Sequence, residues 1–174
     1  MDIFPRLQAA FGKAILAVNP TALDPFALVQ PERIADVCRY LRDEPDLAFD
    51  ILNNLSCVDY LETDAKKLAK AGFDSHLEIL YHLSSFRFPG HRFTLKVSLP
   101  RWKNDAAGEL PELPTVCSIW RTADWHEREV YDLFGVRFLG HPDLRRILLA
   151  DDWVGYPLRK DYEFPLEYRD IRCR

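Results

Sequence analysis

Two segments in which apolar and polar residues alternate constrain the fold of this chain more than any other feature. Residues 76–86, HLEILYHLSSF, and residues 91–100, HRFTLKVSLP, show the period of two that is typical of a half-buried β-strand. The four residues RFPG lie between them and suit a hairpin connection. The sequence therefore predicts a β-hairpin in the middle of the chain.

The clearest helical pattern lies in residues 30–45, QPERIADVCRYLRDEP. Pro31 suits the first turn of a helix, and Pro45 ends it. Apolar residues recur between them at helical spacing and form one stripe: Ile34, Val37, Cys38 and Leu41. This segment is predicted to be an amphipathic helix.

Five other segments before residue 121 have weaker patterns. Residues 3–17 are predicted to form a helix, and residues 25–29, PFALV, a short strand. Residues 49–62 fit a strand that follows a short helix. Residues 101–114 are polar and contain prolines, which predicts a loop. Residues 115–120, TVCSIW, fit either one more strand or an extended run.

The composition excludes several classes of protein. The chain has 174 residues, of which 48% are hydrophobic, so we expect one domain with a real core and no intrinsic disorder. The net charge of −4 argues against nucleic acid as the main partner. No targeting segment is evident, nor any run of the roughly 20 apolar residues that span a bilayer. We therefore expect a soluble chain that reaches a membrane only through other proteins.

The four cysteines, Cys38, Cys57, Cys117 and Cys173, are scattered along the chain without a C-x-x-C pair. Iron–sulfur clusters and structural zinc sites usually show at least one such pair. The first three cysteines have apolar neighbours and are interpreted as small buried hydrophobic residues. The pattern predicts neither a metal centre nor a disulfide framework.

The character of the sequence changes after Trp120. Charged and aromatic residues become dense, and the periodicity fades after Gly135. The segment 124–135, DWHEREVYDLFG, opens with His-Glu, as the zinc-protease motif H-E-x-x-H does. Position i+4 from His126 is Val130, however, so the second zinc ligand is missing. The sequence predicts a compact α+β layer followed by an irregular arm.

Residues 124–135 are predicted to form a helix. Asp124 suits the N-cap, Glu127 suits the third position of a capping box, and Gly135 suits the residue after the helix. One face is predicted to pack inward, with Val130, Leu133 and Phe134 near His126. The opposite face is predicted to display Trp125, Arg128, Glu129 and Asp132. A solvated charged face is the simple interpretation, but an exposed tryptophan favours a partner surface.

Residues 140–165 combine arginines with tryptophan and tyrosine, the residue types enriched at protein–protein hot spots. Acidic residues accompany each basic pair and would repel nucleic-acid phosphates. No serine or cysteine lies next to His141, so no nucleophilic site is visible, although a distant partner such as Cys117 stays open.

These residues resemble a known family. Residues 125–162, WHEREVYDLFGVRFLGHPDLRRILLADDWVGYPLRKDY, are similar to the signature of the 30-kDa subunit of respiratory complex I, which in bacteria is the C-type subunit of NADH–quinone oxidoreductase. The similarity extends over most of residues 30–165. It implies a two-layer α+β domain, with a mixed or antiparallel sheet packed against helices, plus an extended C-terminal arm. Residues 1–122 would form the domain and residues 123–174 the signature helix and arm, as one structural unit.

The resemblance implies a non-catalytic subunit of the peripheral arm of a proton-translocating NADH–quinone oxidoreductase. It would lie on the cytoplasmic side of the bacterial membrane. It would support assembly and contact the quinone-cavity subunit (the 49-kDa, D-type subunit) and other peripheral-arm subunits. NADH, FMN, iron–sulfur clusters and quinone would belong to the whole complex, with no cofactor in this chain. The alternatives are a subunit of a photosynthetic NDH-like complex or of a membrane-bound hydrogenase, or a stand-alone hydrolase that uses His126 or His141.

The residues expected at the partner interface, or in a brace between helix and arm, all lie after Trp120. We expect Arg128, Glu129 and Asp132 to pair with arginines of the turn at 145–146. Residues 140–164 are expected to dock on the quinone-cavity subunit, with Trp153, Tyr156 and Arg159 as anchors, unless the arm folds back on its own domain. The full set is Trp125, Arg128, Glu129, Asp132, His141, Arg145, Arg146, Trp153, Tyr156, Arg159, Lys160, Asp161 and Tyr162.

Overall fold

A five-stranded mixed sheet forms the centre of the computed structural model, which describes residues 3–62, 64–68 and 70–173. Its strands are β1 (Ile15–Asn19), β2 (Phe26–Val29), β3 (Ile51–Tyr60), β4 (His76–Ser84) and β5 (Arg92–Leu99). Their order is β1-β2-β5-β4-β3, with β2 and β5 parallel and the other neighbours antiparallel. The β4–β5 pair is the predicted hairpin. The α+β class is confirmed.

The helices lie before, between and after the strands of this sheet. They are α1 (Ile3–Phe11), α2 (Ile34–Asp43), α3 (Ala65–Leu68) and α4 (Ala123–Phe134). Two short strand pairs complete the described chain. They are the parallel pair of β6 (Glu112–Pro114) with β7 (Arg137–Leu139) and the antiparallel pair of β8 (Glu167–Tyr168) with β9 (Ile171–Arg172).

One apolar cluster joins the inner face of the sheet to helices α1, α2 and α4. The inward residues of the hairpin alternate as predicted and are almost fully buried: Leu77, Ile79, Tyr81 and Leu83 on β4, and Phe93, Leu95, Val97 and Leu99 on β5. The predicted apolar stripe of α2 belongs to the same cluster, and so do Ala123 and Val130 of α4. The core is therefore shared by the sheet domain and the signature helix.

The prediction of a helix over residues 3–17 is wrong after Phe11. Gly12 adopts a φ of +51°, in the left-handed region that glycine tolerates, and the α-helix ends before it. A short 3-10 helix follows, and Ile15 then pairs with Val29 of β2 as the start of β1. The apolar residues at the end of the predicted helix are thus strand residues.

Residues 49–62 contain no helix, because β3 occupies Ile51–Tyr60. Its register shifts between Leu52 and Asn54, where a bulge places an extra residue in the strand. The bulge separates the buried residues Leu52 and Leu55 by three positions, whereas Leu55 and Cys57 are separated by two. This break in the alternation is the reason that the segment resembles a helix followed by a strand.

Two further predictions need correction. The loop at 101–114 also contains the short strand β6. Residues 115–120 form turns and no strand, since the carbonyl oxygen of Val116 accepts the N–H groups of Ile119 and Trp120. These turns lead the chain from β6 into α4.

Candidate partner interface at helix α4 and the arm

Helix α4 is fixed to the domain at both of its ends. Strand β6 precedes it and strand β7 follows it, and the two pair in parallel with Leu113 opposite Phe138. Both of these side chains are buried. The signature helix is thereby held between two short strands, and its position relative to the sheet is set by the core.

The predicted capping box of α4 does not form. Thr122 occupies the N-cap, but its hydroxyl donates to the carbonyl oxygen of Leu52 at 3.2 Å and does not cap the helix, and Asp124 already lies inside the helix. The carboxylate of Glu127 instead accepts hydrogen bonds from the segment before the helix. The donors are the hydroxyl of Thr115 and the N–H of Val116, the latter at 2.7 Å. The predicted end is confirmed: Gly135 has a φ of 69° at the C-cap.

The face of α4 that was predicted to be displayed is only partly exposed. Trp125 is 63% exposed, as expected for a partner surface, and Glu129 is exposed too. Arg128 and Asp132 are buried at 5% and 0%, which corrects the prediction for these two residues. The arm, residues 140–173, supplies the partners that buried charges need.

Asp132 connects the helix to the arm through four hydrogen bonds. Its carboxylate accepts Arg146 Nη1 at 2.8 Å and the backbone N–H groups of Ile147, Leu148 and Leu149 at 2.8–3.0 Å. Burial alone would raise the pKa of Asp132, but these donors outweigh burial and hold the pKa below its usual value. Asp132 therefore fixes the backbone of the arm at one place.

The other pairs that were predicted between α4 and the turn at 145–146 do not form. Arg128 lies 3.8 Å from the carboxylate of Asp143 and 3.9 Å from that of Asp124, and its guanidinium packs 4.9 Å from the ring centre of Trp125. Arg145 pairs with Asp143 instead of a helix residue. Within the described ranges, no basic group lies within 4.0 Å of Glu129. Of the three helix residues predicted to form the brace, Asp132 and Arg128 thus have charged partners in the arm.

Arg159 is a bracing residue and not an exposed anchor for a partner. The side chain is 4% exposed, and Nε donates to the carbonyl oxygen of Phe134 at 2.7 Å. The guanidinium stacks 3.6 Å from the ring centre of Trp102. The C-terminal carbonyls of a helix attract a positive charge, which explains why the guanidinium caps α4. Burial lowers the pKa of Arg159.

Tyr156 and Trp153 also pack within the chain. The ring of Tyr156 lies over Gly135, where an added Cβ would be 2.6 Å from the ring. The ring of Trp153 contacts that of Tyr168, with 4.9 Å between centroids. Both side chains are only partly exposed. Tyr156 is therefore folded back on the end of α4, which was the alternative to docking, whereas Trp153 packs against another residue of the arm.

A second anchor, missed at the sequence level, holds residues 160–161 against the sheet. Arg101 pairs with Asp59 at 2.8 Å and with Asp161 at 2.6 Å. Asp59 also accepts the backbone N–H of Lys160. Asp59 follows Leu55 and Cys57 on the inward side of β3. A carboxylate at an inward position of an alternating strand is a signal that could have revealed this site.

His141 lies in a cluster of possible metal ligands with Cys117 and Glu127, whose ligand atoms are all within 4.8 Å of one another. Hydrogen bonds already use these atoms. His141 Nδ1 accepts the N–H of Asp143 at 3.0 Å, so Nε2 carries the proton and donates to the carbonyl oxygen of Asp124. Burial raises the pKa of Cys117 to about 12, which keeps the thiol protonated. These donors suit a hydrogen-bonded anchor better than a metal site.

The buried carboxyl of Glu127 predicts a pH-dependent stability. Burial raises its pKa from 4.5 to about 7, and the hydrogen bonds from Thr115 and Val116 only partly oppose this. The folded chain therefore holds this proton more strongly than the unfolded chain, so the free energy of unfolding falls as the pH rises from about 4.5 to 7. Glu127→Gln is expected to lessen this fall by up to about 3 kcal/mol, at roughly 1.4 kcal/mol per pKa unit.

Urea unfolding at several pH values from 5 to 8 measures this effect. Glu129→Gln is the matched control, because Glu129 is an exposed residue of the same helix. The control should keep the pH dependence of the wild type. An equally steep pH dependence in Glu127→Gln would show that another group is responsible.

The arm leaves many large apolar side chains in solvent although its backbone is anchored. The exposed ones are Leu148, Val154, Leu158, Phe164, Leu166 and Ile171. Lys160 is exposed as well, whereas Tyr162 is partly covered and donates its hydroxyl to Val154. Among the described residues, no helix has the length and hydropathy to cross a bilayer. An exposed apolar surface of this kind is typical of a protein–protein contact.

Two named proteins are similar to this chain over most of its amino-acid sequence. The C-type subunit of NADH-quinone oxidoreductase from Roseiflexus castenholzii is 43% identical over 159 residues, which cover 91% of this chain and 81% of the relative. The subunit of the same name from Chlorobium phaeobacteroides is 39% identical over 167 residues, with 95% and 90% covered. Both similarities include the signature helix and most of the arm.

Two solved structures share the fold. A trypsin-resistant fragment of Nqo5 matches with a TM-score of 0.61 and 28% identity, over 83% of this chain and 100% of the fragment. A chain of the membrane-bound sulfane sulfur reductase, an archaeal respiratory membrane complex, matches with a TM-score of 0.68 and 25% identity, over 92% and 84%. The family model of the respiratory-chain NADH dehydrogenase 30-kDa subunit matches residues 27–168. The chain therefore belongs to the 30-kDa subunit family of the respiratory-chain NADH dehydrogenase.

Proposed function

We propose that this chain is a non-catalytic peripheral-arm subunit of a proton-translocating NADH–quinone oxidoreductase, where it supports assembly and contacts the quinone-cavity subunit. It reaches the cytoplasmic face of the membrane only through partner subunits. The relatives named as the C-type subunit of such an enzyme support this proposal. The whole complex carries out NADH oxidation and quinone reduction, and this chain contributes a surface to it.

One observation carries the proposal. The arm is held in place by contacts inside the chain, through Asp132, Arg159 and Arg101, and it still exposes Leu148 at 62% and Leu158 at 51%. An arm that served only its own core would bury these side chains. Fixing the backbone beforehand lowers the entropy cost of binding. The arm is therefore suited to dock on a partner as a prearranged apolar surface.

The proposal assigns no cofactor to this chain. Cys38 and Cys57 are buried apolar residues in separate elements, and Cys173 is exposed in the tail. The donors near Cys117 are used by hydrogen bonds, as described above. NADH, FMN, iron–sulfur clusters and quinone are assigned to the other subunits. Metal analysis of the purified, folded chain tests this assignment, which a stoichiometric metal would contradict.

A double charge substitution in the arm tests the proposed docking. Leu148→Glu with Leu158→Glu should leave the chain folded, because both side chains are exposed, and should reduce its co-purification with neighbouring subunits from native membranes at least tenfold. Burying two charges against an apolar partner is the physical reason. Mass spectrometry of the captured proteins identifies the quinone-cavity subunit.

The control for this experiment is Leu23→Glu, because Leu23 is 99% exposed and lies between β1 and β2, outside the arm. The control should assemble like the wild type. Normal assembly of the double variant would contradict the proposed role of the arm.

A second candidate is a subunit of a related respiratory complex with another electron donor. The match to a chain of the sulfane sulfur reductase complex favours this candidate. The same co-purification distinguishes the two, since an NADH-oxidising flavin subunit should be captured only in the first case. A stand-alone hydrolase has less support, because both ring nitrogens of His141 are engaged in hydrogen bonds.

A further inference from the structure

A cavity of about 300 Å³ lies in the arm, with aromatic walls formed by Trp153, Tyr162 and Tyr168. Its volume is at the lower end of the roughly 300–1,000 Å³ found for small-molecule pockets, so it suits a single long side chain. The rings of Trp153 and Tyr168 are in contact, at 4.9 Å between centroids and 53° between planes. Together the three rings make an aromatic cage.

The arm backbone fixes the position of one wall of this cage. The ring of Tyr162 packs so closely on Gly155 that a Cβ at residue 155 would lie 2.7 Å from it. The hydroxyl of Tyr162 donates to the carbonyl oxygen of Val154 at 3.1 Å. The cage is therefore formed before any ligand enters.

The rim of the cage is acidic. Asp152, Glu163 and Glu167 line the cavity. Asp152 is neutralised by Arg169 at 3.0 Å, and Arg169 also lies 5.3 Å from the ring centre of Tyr168. Within residues 3–62, 64–68 and 70–173, neither glutamate has a basic group within 4.0 Å. Two carboxylates thus have no ion-pair partner among the described residues.

We propose that this cage binds a lysine or arginine side chain of a neighbouring subunit. Aromatic faces attract a cation through the ring quadrupole, and arginine is the more frequent partner. The two free carboxylates add Coulomb attraction and would repel an acidic side chain. The choice of a protein side chain as the ligand rests on the proposed function, which places the arm in an assembly.

A small-molecule titration tests the chemistry of the cage without any partner. The full-length chain is labelled with ¹⁵N, and its Trp153 indole resonance is assigned by its loss in Trp153→Phe. N-acetyl-arginine amide should shift this resonance saturably at millimolar concentration, and NaCl should weaken the effect. The uncharged N-acetyl-glutamine amide should not shift it. Equal shifts with both probes, or none with the arginine probe, would overturn the proposal.

Variants of the rim test the contribution of charge. Glu163→Gln with Glu167→Gln should weaken binding of the arginine probe about three- to tenfold, the range expected for two exposed charge pairs. Both residues are exposed, so the fold should be unaffected. The control is Glu32→Gln with Glu109→Gln, which removes the same charge at exposed positions outside the cavity. An equal loss of affinity in the control would mean that net charge alone attracts the probe.

Assembly separates the failure of this inference from failure of the proposed function. If the wild-type chain captures no partner subunit from native membranes, the proposed function is wrong, and the titration still decides whether the cage binds cations. If the wild type assembles, Glu163→Gln with Glu167→Gln should assemble less well and with a weaker dependence on salt. Unchanged assembly of this variant would refute the partner side chain as the ligand.

Discussion

Asp132→Ala is expected to destabilise the folded chain by about 3–5 kcal/mol, the cost of removing one partner of a buried ion pair. The substitution removes the carboxylate that neutralises the Arg146 guanidinium and accepts the N–H groups of residues 147–149. Arg146 then keeps only carbonyl oxygens, those of Asp132 and Gly155, as acceptors. Because the arm backbone loses this anchor, residues 146–149 should also become accessible to proteases. Urea unfolding at pH 7 measures the change in the free energy of unfolding.

Glu129→Ala serves as the matched control for Asp132→Ala. It removes a carboxylate from the same helix, but from an exposed position, so its effect should stay within about 0.5 kcal/mol.

The stabilisation by Asp132 should also depend on pH with a defined sign. Its lowered pKa means that the stabilisation is present above the ordinary aspartate pKa and is lost as the pH falls through the folded value. Equal stability of Asp132→Ala and Glu129→Ala would show that the arm is not held by this residue.

Gly135→Ala should destabilise the chain by about 2–5 kcal/mol. The φ of +69° costs an alanine roughly 1–2 kcal/mol. The new methyl group would also lie 2.6 Å from the ring of Tyr156, and such overpacking typically adds about 1–3 kcal/mol. Thermal and urea unfolding measure the loss. The tyrosine ring should be displaced from the end of α4.

Gly140→Ala is the control that separates these two causes. Gly140 has a similar φ of +81°, but its added Cβ would lie 3.5 Å from the nearest atom, a methyl group of Thr115. Only the backbone cost should therefore appear. The double variant Gly135→Ala with Tyr156→Ala should lose less stability than the sum of its single changes, because the clash is gone. Additive effects would mean that the contact between the arm and α4 is not close.

The regular elements with a clean period could be predicted from the sequence. The hairpin of β4 and β5 and the amphipathic α2 lie where the alternation and the apolar stripe place them. The predictions failed where a single residue changed the conformation of the backbone or the register of a strand. A left-handed Gly12 ended α1, and a bulge after Leu52 shifted the alternation of β3. A local pattern cannot reveal such a change, because the same apolar residues fit either period.

The contacts between charged residues of the candidate site could likewise be predicted only in part. The sequence indicated that Asp132 and Arg146 belong together, and the structure pairs them at 2.8 Å. No local pattern connects Asp59 with Arg101 and Asp161, since even the nearer of the two lies 42 positions away along the chain. That network exists because the end of β3, the segment after β5 and the arm converge at one edge of the sheet.

By itself, the sequence determined the α+β class, the hairpin, the amphipathic helix and, through a long composite motif, the family. These properties depend on local periodicity and on the identity of residues in one segment. Only the tertiary structure decided which charged residues are buried. Arg128 and Asp132 have the helical positions of an exposed face, yet the arm covers them, and Arg159 turns inward to the end of α4. Burial depends on which distant segments meet, because a charge leaves water only where another part of the chain supplies its partner.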